Sequence, residues 1–182
     1  MNICVYCASS TSIGEPYTSA MLRLGKAIAE HGHNLVFGGY DTGLMGCVAH
    51  GVAENGGKVY GVIPGSVEMF SSRLVFEADE VFEVADISAR KAKMMELADA
   101  YVAAPGGYGT FDELYEALVE AKLTPGRRKP VALYNIEGFY DEFEEMTRQM
   151  LGGGFITPSD AERYFAGIDP DAIVEELERR AL

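Results

Sequence analysis

With 182 residues the chain has the length of one domain, and 48% hydrophobic against 24% charged residues is a globular, not a disordered, composition. A formal charge of −13 argues against DNA, RNA and anionic membrane as partners, since those surfaces are held by clustered Lys and Arg; a few local donors can still hold one phosphate on an acidic protein. No apolar run approaches the ~20 residues of a membrane span, and MNICVYCASS lacks the basic start and long apolar stretch of a signal peptide, so a cytoplasmic protein is expected.

In chain order, NICVYC predicts a first strand and Tyr17 to His31 a helix on which Met21, Leu24, Gly25, Ile28 and Ala29 share one face. NLVF is the second strand, Gly43 to Asn55 the second helix and KVYGVI the third strand. Pro64 to Ala78 has weak periodicity and reads as an irregular excursion before a short piece at Val81 to Val84. A helix over Ser88 to Asp99, the strand AYVAA, a helix over Thr110 to Leu123, the strand PVALY and a helix over Phe139 to Leu151 follow. A loop, a short strand at Tyr164 to Ala166 and a last helix capped by Asp169, with Pro170 in its first position, complete the pattern. Short apolar runs alternating with helices predict an α/β domain over residues 1–182, a doubly wound parallel sheet with helices on both faces.

Three cysteines, Cys4, Cys7 and Cys47, cannot form a disulfide framework. Cys4-Val-Tyr-Cys7 has the CxxC spacing, but it lies inside a strand, whereas a reactive thiol gains its low pKa at a helix N-terminus; a structural role is expected. His31, His33 and His50 have neither metal-ligand spacing nor companion cysteines, so no metal is expected.

In an open parallel sheet ligands bind where strand ends lead into helix N-termini. Three Gly- or Ser-rich junctions fall there: Ala8 to Gly14, Gly38 to Gly46 and Pro105 to Thr110. In the last, Gly106, Gly107 and Gly109 let backbone approach a ligand, and the helix starting at Thr110 aims free N–H groups outward, which makes an anion site. The Walker pattern would need Gly-Lys-Ser/Thr, and GxGxxG would need Gly where Asp112 stands. The strand after it ends in Tyr134-Asn135 without the acid of an NAD site. Glu113 has two readings, a functional carboxylate or the partner of Thr110 in a capping box. Arg90 and Lys91 also have two. If Ser88 caps their helix, both cations sit in the first turn, where the macrodipole disfavours them by a few tenths to ~1 kcal/mol each. They then either meet an anion or pair with Glu77, Asp79 or Glu83 on a solvated face. Tyr40, Asp41 and Met45 are further pocket candidates, although turn geometry explains Asp41-Thr42-Gly43 equally well.

Together VYCASS, GGYDTGLMG, GVIP, Arg90-Lys91-x-x-Met94 and PGGYGTFDE resemble the Lonely Guy (LOG) family of cytokinin riboside 5′-monophosphate phosphoribohydrolases, once labelled lysine decarboxylases. The likeness runs from about Asn2 to Ile156, and the order and spacing of RKxxM and PGGxGTxxE are its most specific part. The resemblance implies a Rossmann-like fold, a homodimer with sites near the subunit interface, no metal or cofactor, and hydrolysis of the N-glycosidic bond of an AMP-like nucleoside 5′-monophosphate. By motif position it implies Arg90 and Glu113 as the catalytic pair, with Lys91, Gly106, Gly107, Tyr108, Gly109, Thr110 and Asp112 binding substrate. A capping role for Glu113 is compatible with a catalytic one.

The chain departs from the family pattern at three places. Gly38-Gly39-Tyr40 replaces GGG, Ile87-Ser88-Ala89 replaces Met-His before the Arg-Lys pair, and Leu118 to Leu123 replaces a stretch resembling ITWAQL. These changes leave the implied phosphate and sugar contacts in place and fall at the end that would read the base. Competing expectations are a broader purine or pyrimidine 5′-nucleotide nucleosidase, and a non-catalytic nucleotide or molybdenum-cofactor carrier on the same fold. Lysine decarboxylation is not expected, since no lysine sits in a recognisable pyridoxal phosphate pocket.

Overall fold

The computed structural model describes residues 1–65, 74–123 and 129–181. Its strands are β1 (Asn2–Tyr6), β2 (Asn34–Phe37), β3 (Val59–Pro64), β4 (Glu80–Val84), β5 (Ala100–Ala103), β6 (Val131–Tyr134) and β7 (Tyr164–Gly167). Its helices are α1 (Tyr17–Glu30), α2 (Gly43–Ala53), α3 (Ile87–Leu97), α4 (Tyr108–Leu123), α5 (Asp141–Gly152), α6 (Pro158–Ala161) and α7 (Pro170–Ala181). All seven strands pair in parallel, in the order β4-β3-β2-β1-β5-β6-β7. The expected α/β parallel sheet is present.

Strand alternation distributes the core to two faces. Ile3, Val5 and Cys7 point to one, where they meet Met21, Leu24 and Ile28 of α1, Val48 and Val52 of α2, and Ile173 and Leu177 of α7. Cys4 and Tyr6 point to the other, against Met94 of α3, Leu114 and Ala117 of α4, and Phe143 of α5. Because both faces are covered, the interior strands β5 and β6 are buried at every residue. The edge strands β4 and β7 carry exposed and half-buried positions instead.

Several boundaries shift from the sequence expectation. The piece at Val81 to Val84 is the full edge strand β4. Of the excursion expected over Pro64 to Ala78, residues 66–73 lie outside the described residues, while Val75 forms an antiparallel bridge to Tyr40. The fifth helix begins at Asp141, after a 3₁₀ turn over Ile136–Gly138. The short α6 was not foreseen, although its signal is legible as Thr157-Pro158-x-Asp160: the Thr157 hydroxyl accepts from the Asp160 N–H while Asp160 reaches back to the Thr157 N–H. The Asp169 cap of α7 forms as expected, its carboxylate accepting from the Ala172 N–H at 3.0 Å.

Helices α1 and α2 touch through glycine. A Cβ on Gly25 would lie 2.3 Å from the Val48 carbonyl oxygen, and one on Gly51 would lie 2.4 Å from the Leu22 carbonyl oxygen. Both obstacles are backbone, so an added methyl forces the helices apart and opens voids around Leu24 and Val48. Gly25→Ala is therefore expected to cost about 2 kcal/mol or more in urea denaturation despite its better helix propensity; a variant with the wild-type midpoint would refute the packing account.

Candidate active site

The sheet reverses its winding between β1 and β5, because the chain proceeds outward from β1 through β2, β3 and β4 and then returns to the other side of β1. The loops leaving these two strands diverge, and a crevice opens between them. It contains a cavity of about 370 Å³ lined by Cys7, Ala8, Ser9 and Ser10 after β1, by Gly107, Gly109, Thr110 and Glu113 of the β5 loop and α4, by Met45 of α2 and by Arg90 of α3. That volume lies within the ~300–1,000 Å³ range of small-molecule sites.

The loops are fixed by their own backbone. The Ala8 N–H donates to the Pro105 carbonyl, tying the β1 loop to the β5 loop, and the Ala8 carbonyl accepts from the Leu44 and Met45 N–H groups. Two of the leading donors of α2 are thereby consumed. At α4 the Gly107 carbonyl accepts from the Phe111 N–H, so the helix starts at Tyr108. Thr110 therefore lies within the first turn and is not its cap; the capping-box reading of Thr110 and Glu113 fails for this reason. Gly106 has a steric cause: a Cβ there would stand 2.1 Å from Thr110 Oγ1. At Gly107 and Gly109 an added Cβ would meet nothing within 4 Å, leaving open space before the helix N-terminus.

Helix α3 is capped by Asp86, whose carboxylate accepts from the Ala89 N–H at 2.8 Å, and not by Ser88. Arg90 then turns inward and is only 8% exposed. Its Nε donates to the Val62 carbonyl at 3.0 Å, and its Nη1 lies 3.6 Å from Oε1 of Glu113, itself 7% exposed. Of the two readings of Arg90, the solvated face is excluded. Lys91 points the other way and binds Asp112 at 2.8 Å and Glu116 at 2.9 Å, which hold the ammonium above its ordinary pKa.

Burial is the main influence on Glu113 and pushes its carboxyl up to about 7, opposed by Arg90 and Lys91 and aided by Asp112 and Glu116. A carboxyl at that value exchanges a proton near neutral pH, as a general acid or base must. Burial also raises the Cys4 and Cys7 thiols well above the ordinary range, which suits the structural role expected of them.

A family model described as "possible lysine decarboxylase" matches residues 45–177. The rice (Oryza sativa subsp. japonica) protein named cytokinin riboside 5′-monophosphate phosphoribohydrolase LOG is 43% identical over 88% of this chain, which spans 65% of the rice protein's length. An Arabidopsis thaliana protein of the same enzyme name is 37% identical over 97% of this chain and 76% of its own length. The chain belongs to the LOG family. Among solved structures, the molybdenum cofactor carrier protein of Chlamydomonas reinhardtii has a TM-score of 0.74 at 28% identity, covering 98% of each chain. A molybdenum cofactor binding protein of Rippkaea orientalis, at 20% identity, has the same TM-score over 100% of this chain and 97% of its own and shares the fold.

Set against the residues that the LOG resemblance singles out, the structure brings Arg90, Glu113, Gly107, Gly109 and Thr110 to one cavity. Lys91, Gly106, Tyr108 and Asp112 do not line it. Lys91 and Asp112 are engaged with each other, and Tyr108 stands 97% exposed at the start of α4. Of the candidates after β2, Met45 lines the cavity, Tyr40 is buried in the core, and Asp41 pairs with His50 at 3.0 Å. Ser9 and Ser10 are visible in the sequence as part of a Ser-rich junction and of the VYCASS segment, neither of which singles them out as site residues. The Val62 carbonyl carried no sequence signal, since any residue supplies one.

The raised Glu113 value has a consequence for stability. An unfolded chain releases this proton near 4.5, while the folded one holds it to about 7, so stability is full below the lower value and falls as pH rises between the two. At about 1.4 kcal/mol per pH unit the loss is on the order of 3 kcal/mol. Glu113→Gln keeps the shape without the charge. Its stability relative to wild type is expected to improve by that amount between pH 4.5 and pH 8 in ligand-free denaturation; a constant difference would contradict the buried-carboxyl account.

Proposed function

We propose that this protein hydrolyses the N-glycosidic bond of a nucleoside 5′-monophosphate, releasing free base and ribose 5-phosphate. The carrying observation is the buried Arg90–Glu113 pair beside the open N-terminus of α4. The rice and Arabidopsis relatives are named for that activity on a cytokinin riboside 5′-monophosphate.

Among the described residues no protein group accepts the N–H groups of Tyr108 and Gly109. With the positive end of the helix dipole they offer a place for the 5′-phosphate. Arg90, held by Val62, adds charge-assisted hydrogen bonds to a phosphate or ribose oxygen, so that binding remote from the reacting carbon stabilises the transition state. As the bond from C1′ to the base nitrogen breaks, positive charge develops on the sugar, and the Glu113 carboxylate stabilises it or orients the attacking water. Water supplies a hydroxyl to C1′ and its proton ends on the departing base. Lys91 and Asp112 act in this scheme by framing the first turns of α4, and Gly106 by admitting Thr110.

We further propose that the chain, as one domain over residues 1–182, works as a homodimer in the cytoplasm, without a nucleic-acid or membrane partner. Tyr108, Tyr115, Val119 and Leu123 form an exposed apolar stripe along α4 that a second copy would cover, and the charge of −13 disfavours polyanions. No described helix is long and apolar enough to cross a membrane. The likeness to a molybdenum cofactor carrier supports a second reading, a non-catalytic carrier; the joint presence of Arg90 and Glu113 favours the enzyme.

The test is chromatography of base released from AMP, isopentenyl-AMP, GMP and CMP. Base release is expected from at least one, with Glu113→Ala and Arg90→Ala each lowering kcat/KM by at least ~100-fold. The acid limb of kcat/KM against pH is expected near 7, where Glu113 ionises. Tight nucleotide binding without base release would establish the carrier, and wild-type turnover by Glu113→Ala would remove that residue's role.

A further inference from the structure

Each of the three Arg90 guanidinium nitrogens faces a different neighbour. Nε donates to the Val62 carbonyl, Nη1 faces Glu113, and Nη2 lies over Gly38, the residue that follows β2. A Cβ built on Gly38 would stand 1.9 Å from Nη2, and 3.0 and 3.1 Å from Sδ and Cε of Met45. Backbone conformation does not demand glycine here. The next residue, Gly39, has a φ of 80°, a region that L side chains rarely adopt, but Gly38 is not among the positive-φ glycines. The severe obstacle to a side chain at Gly38 is the guanidinium, with the Met45 thioether a lesser one.

We infer that Gly38 is a positioning residue for the reaction: its missing side chain forms the seat that holds the Arg90 guanidinium against Glu113. This rests on the hydrolase reading of the site. The obstacle met by an added methyl is the far end of a flexible side chain, so the fold can absorb the change by moving Arg90. To reach ordinary contact, Nη2 must retreat from 1.9 Å to about 3.4 Å, and with Nε anchored on Val62 such a retreat swings the Nη atoms relative to Glu113. Displacements of this size in a catalytic constellation cost about 100-fold in rate.

Gly38→Ala is accordingly expected to fold, to lose about 100-fold in kcat, and to move the acid limb of its pH profile upward. The limb moves because the groups facing Glu113 are Arg90 and Lys91 from α3, Asp112 and Glu116 from α4, Cys4 and Tyr6 from β1 and Cys7 just after it, and of these Arg90 is the strongest that favours its ionised form. A merely structural defect would leave the limb in place. Gly152→Ala, at the last residue of α5, where a Cβ meets nothing within 4 Å, is the control and should behave as wild type. The companion measurement is a thermal double-mutant cycle with Arg90→Lys, which lacks the Nη2 atom. Gly38→Ala is expected to lower Tm in the wild-type background and to have little effect in the Arg90→Lys background.

If Gly38→Ala alone does not fold, recovery of a folded protein in the double variant supports the seat, and no recovery overturns it. Wild-type kcat with an unmoved limb, or equal Tm losses in both backgrounds, overturns it as well. The cycle reads contact between the two residues without any turnover, so failure of the hydrolase reading, seen as absent base release by the wild type, is distinguishable from failure of the seat.

Discussion

A guanidinium cannot shed its charge by losing a proton at any pH the fold survives, so placing Arg90 inside the protein obliges the surroundings to answer it. Two groups do, the Val62 carbonyl on β3 and the Glu113 carboxylate on α4. The contact ties three elements that are distant in sequence, β3, α3 and α4, across the carboxyl edge of the strands. It also requires α3 to start early enough for its fourth residue to point inward. Asp86 accomplishes this by capping the helix two residues before Ser88 would have done. With the cap at Ser88, Arg90 would have fallen at the second helical position, where the helix dipole disfavours a cation.

The topology supplies the space in which that pair can act. Six of the seven strands continue outward from β1 in one of two directions, and the one gap between diverging loops lies where β1 and β5 part. Two helix N-termini reach that edge from neighbouring junctions, and they differ in what lies above them. The Leu44 and Met45 N–H groups of α2 are spent on the Ala8 carbonyl, while those of Tyr108 and Gly109 of α4 have no protein acceptor among the described residues. Glycine alone does not separate the two junctions; the distinction comes from whether a carbonyl of the β1 loop lies above the helix end.

Periodicity carried the fold into the sequence legibly. Apolar runs of about five residues between amphipathic stretches pointed to the parallel sheet, and the buried face of α1 followed from spacing. Helix starts were less legible, because a capping residue competes with its neighbours and packing decides among them: Asp86 prevailed over Ser88, and Gly107 over Thr110. At the site, Arg90 and Glu113 were legible through their motifs and the cation's awkward place on its helix. Their surroundings were not. A backbone carbonyl at Val62 and an empty volume at Gly38 are properties of three-dimensional approach and leave no mark in residue type.

The acidic character of the chain and an anionic ligand are reconciled by distance. At physiological salt, charges separated by more than about 8 Å are largely screened, so most of the carboxylates behind the net charge of −13 act weakly at the cavity. The nearest exceptions are Asp112 and Glu116, one and three residues from Glu113 on α4, and both are bound by Lys91. That pairing offsets the charges best placed to cancel the helix dipole. Burial does the rest, since the desolvation that raises Glu113 also strengthens the field of Arg90 within the cavity. Desolvation therefore has opposite effects on fold and site. Above neutral pH an ionised Glu113 weakens the fold, and the two-sided core around the sheet must hold it in place; the same ionised carboxylate is the group that a positively charged sugar requires.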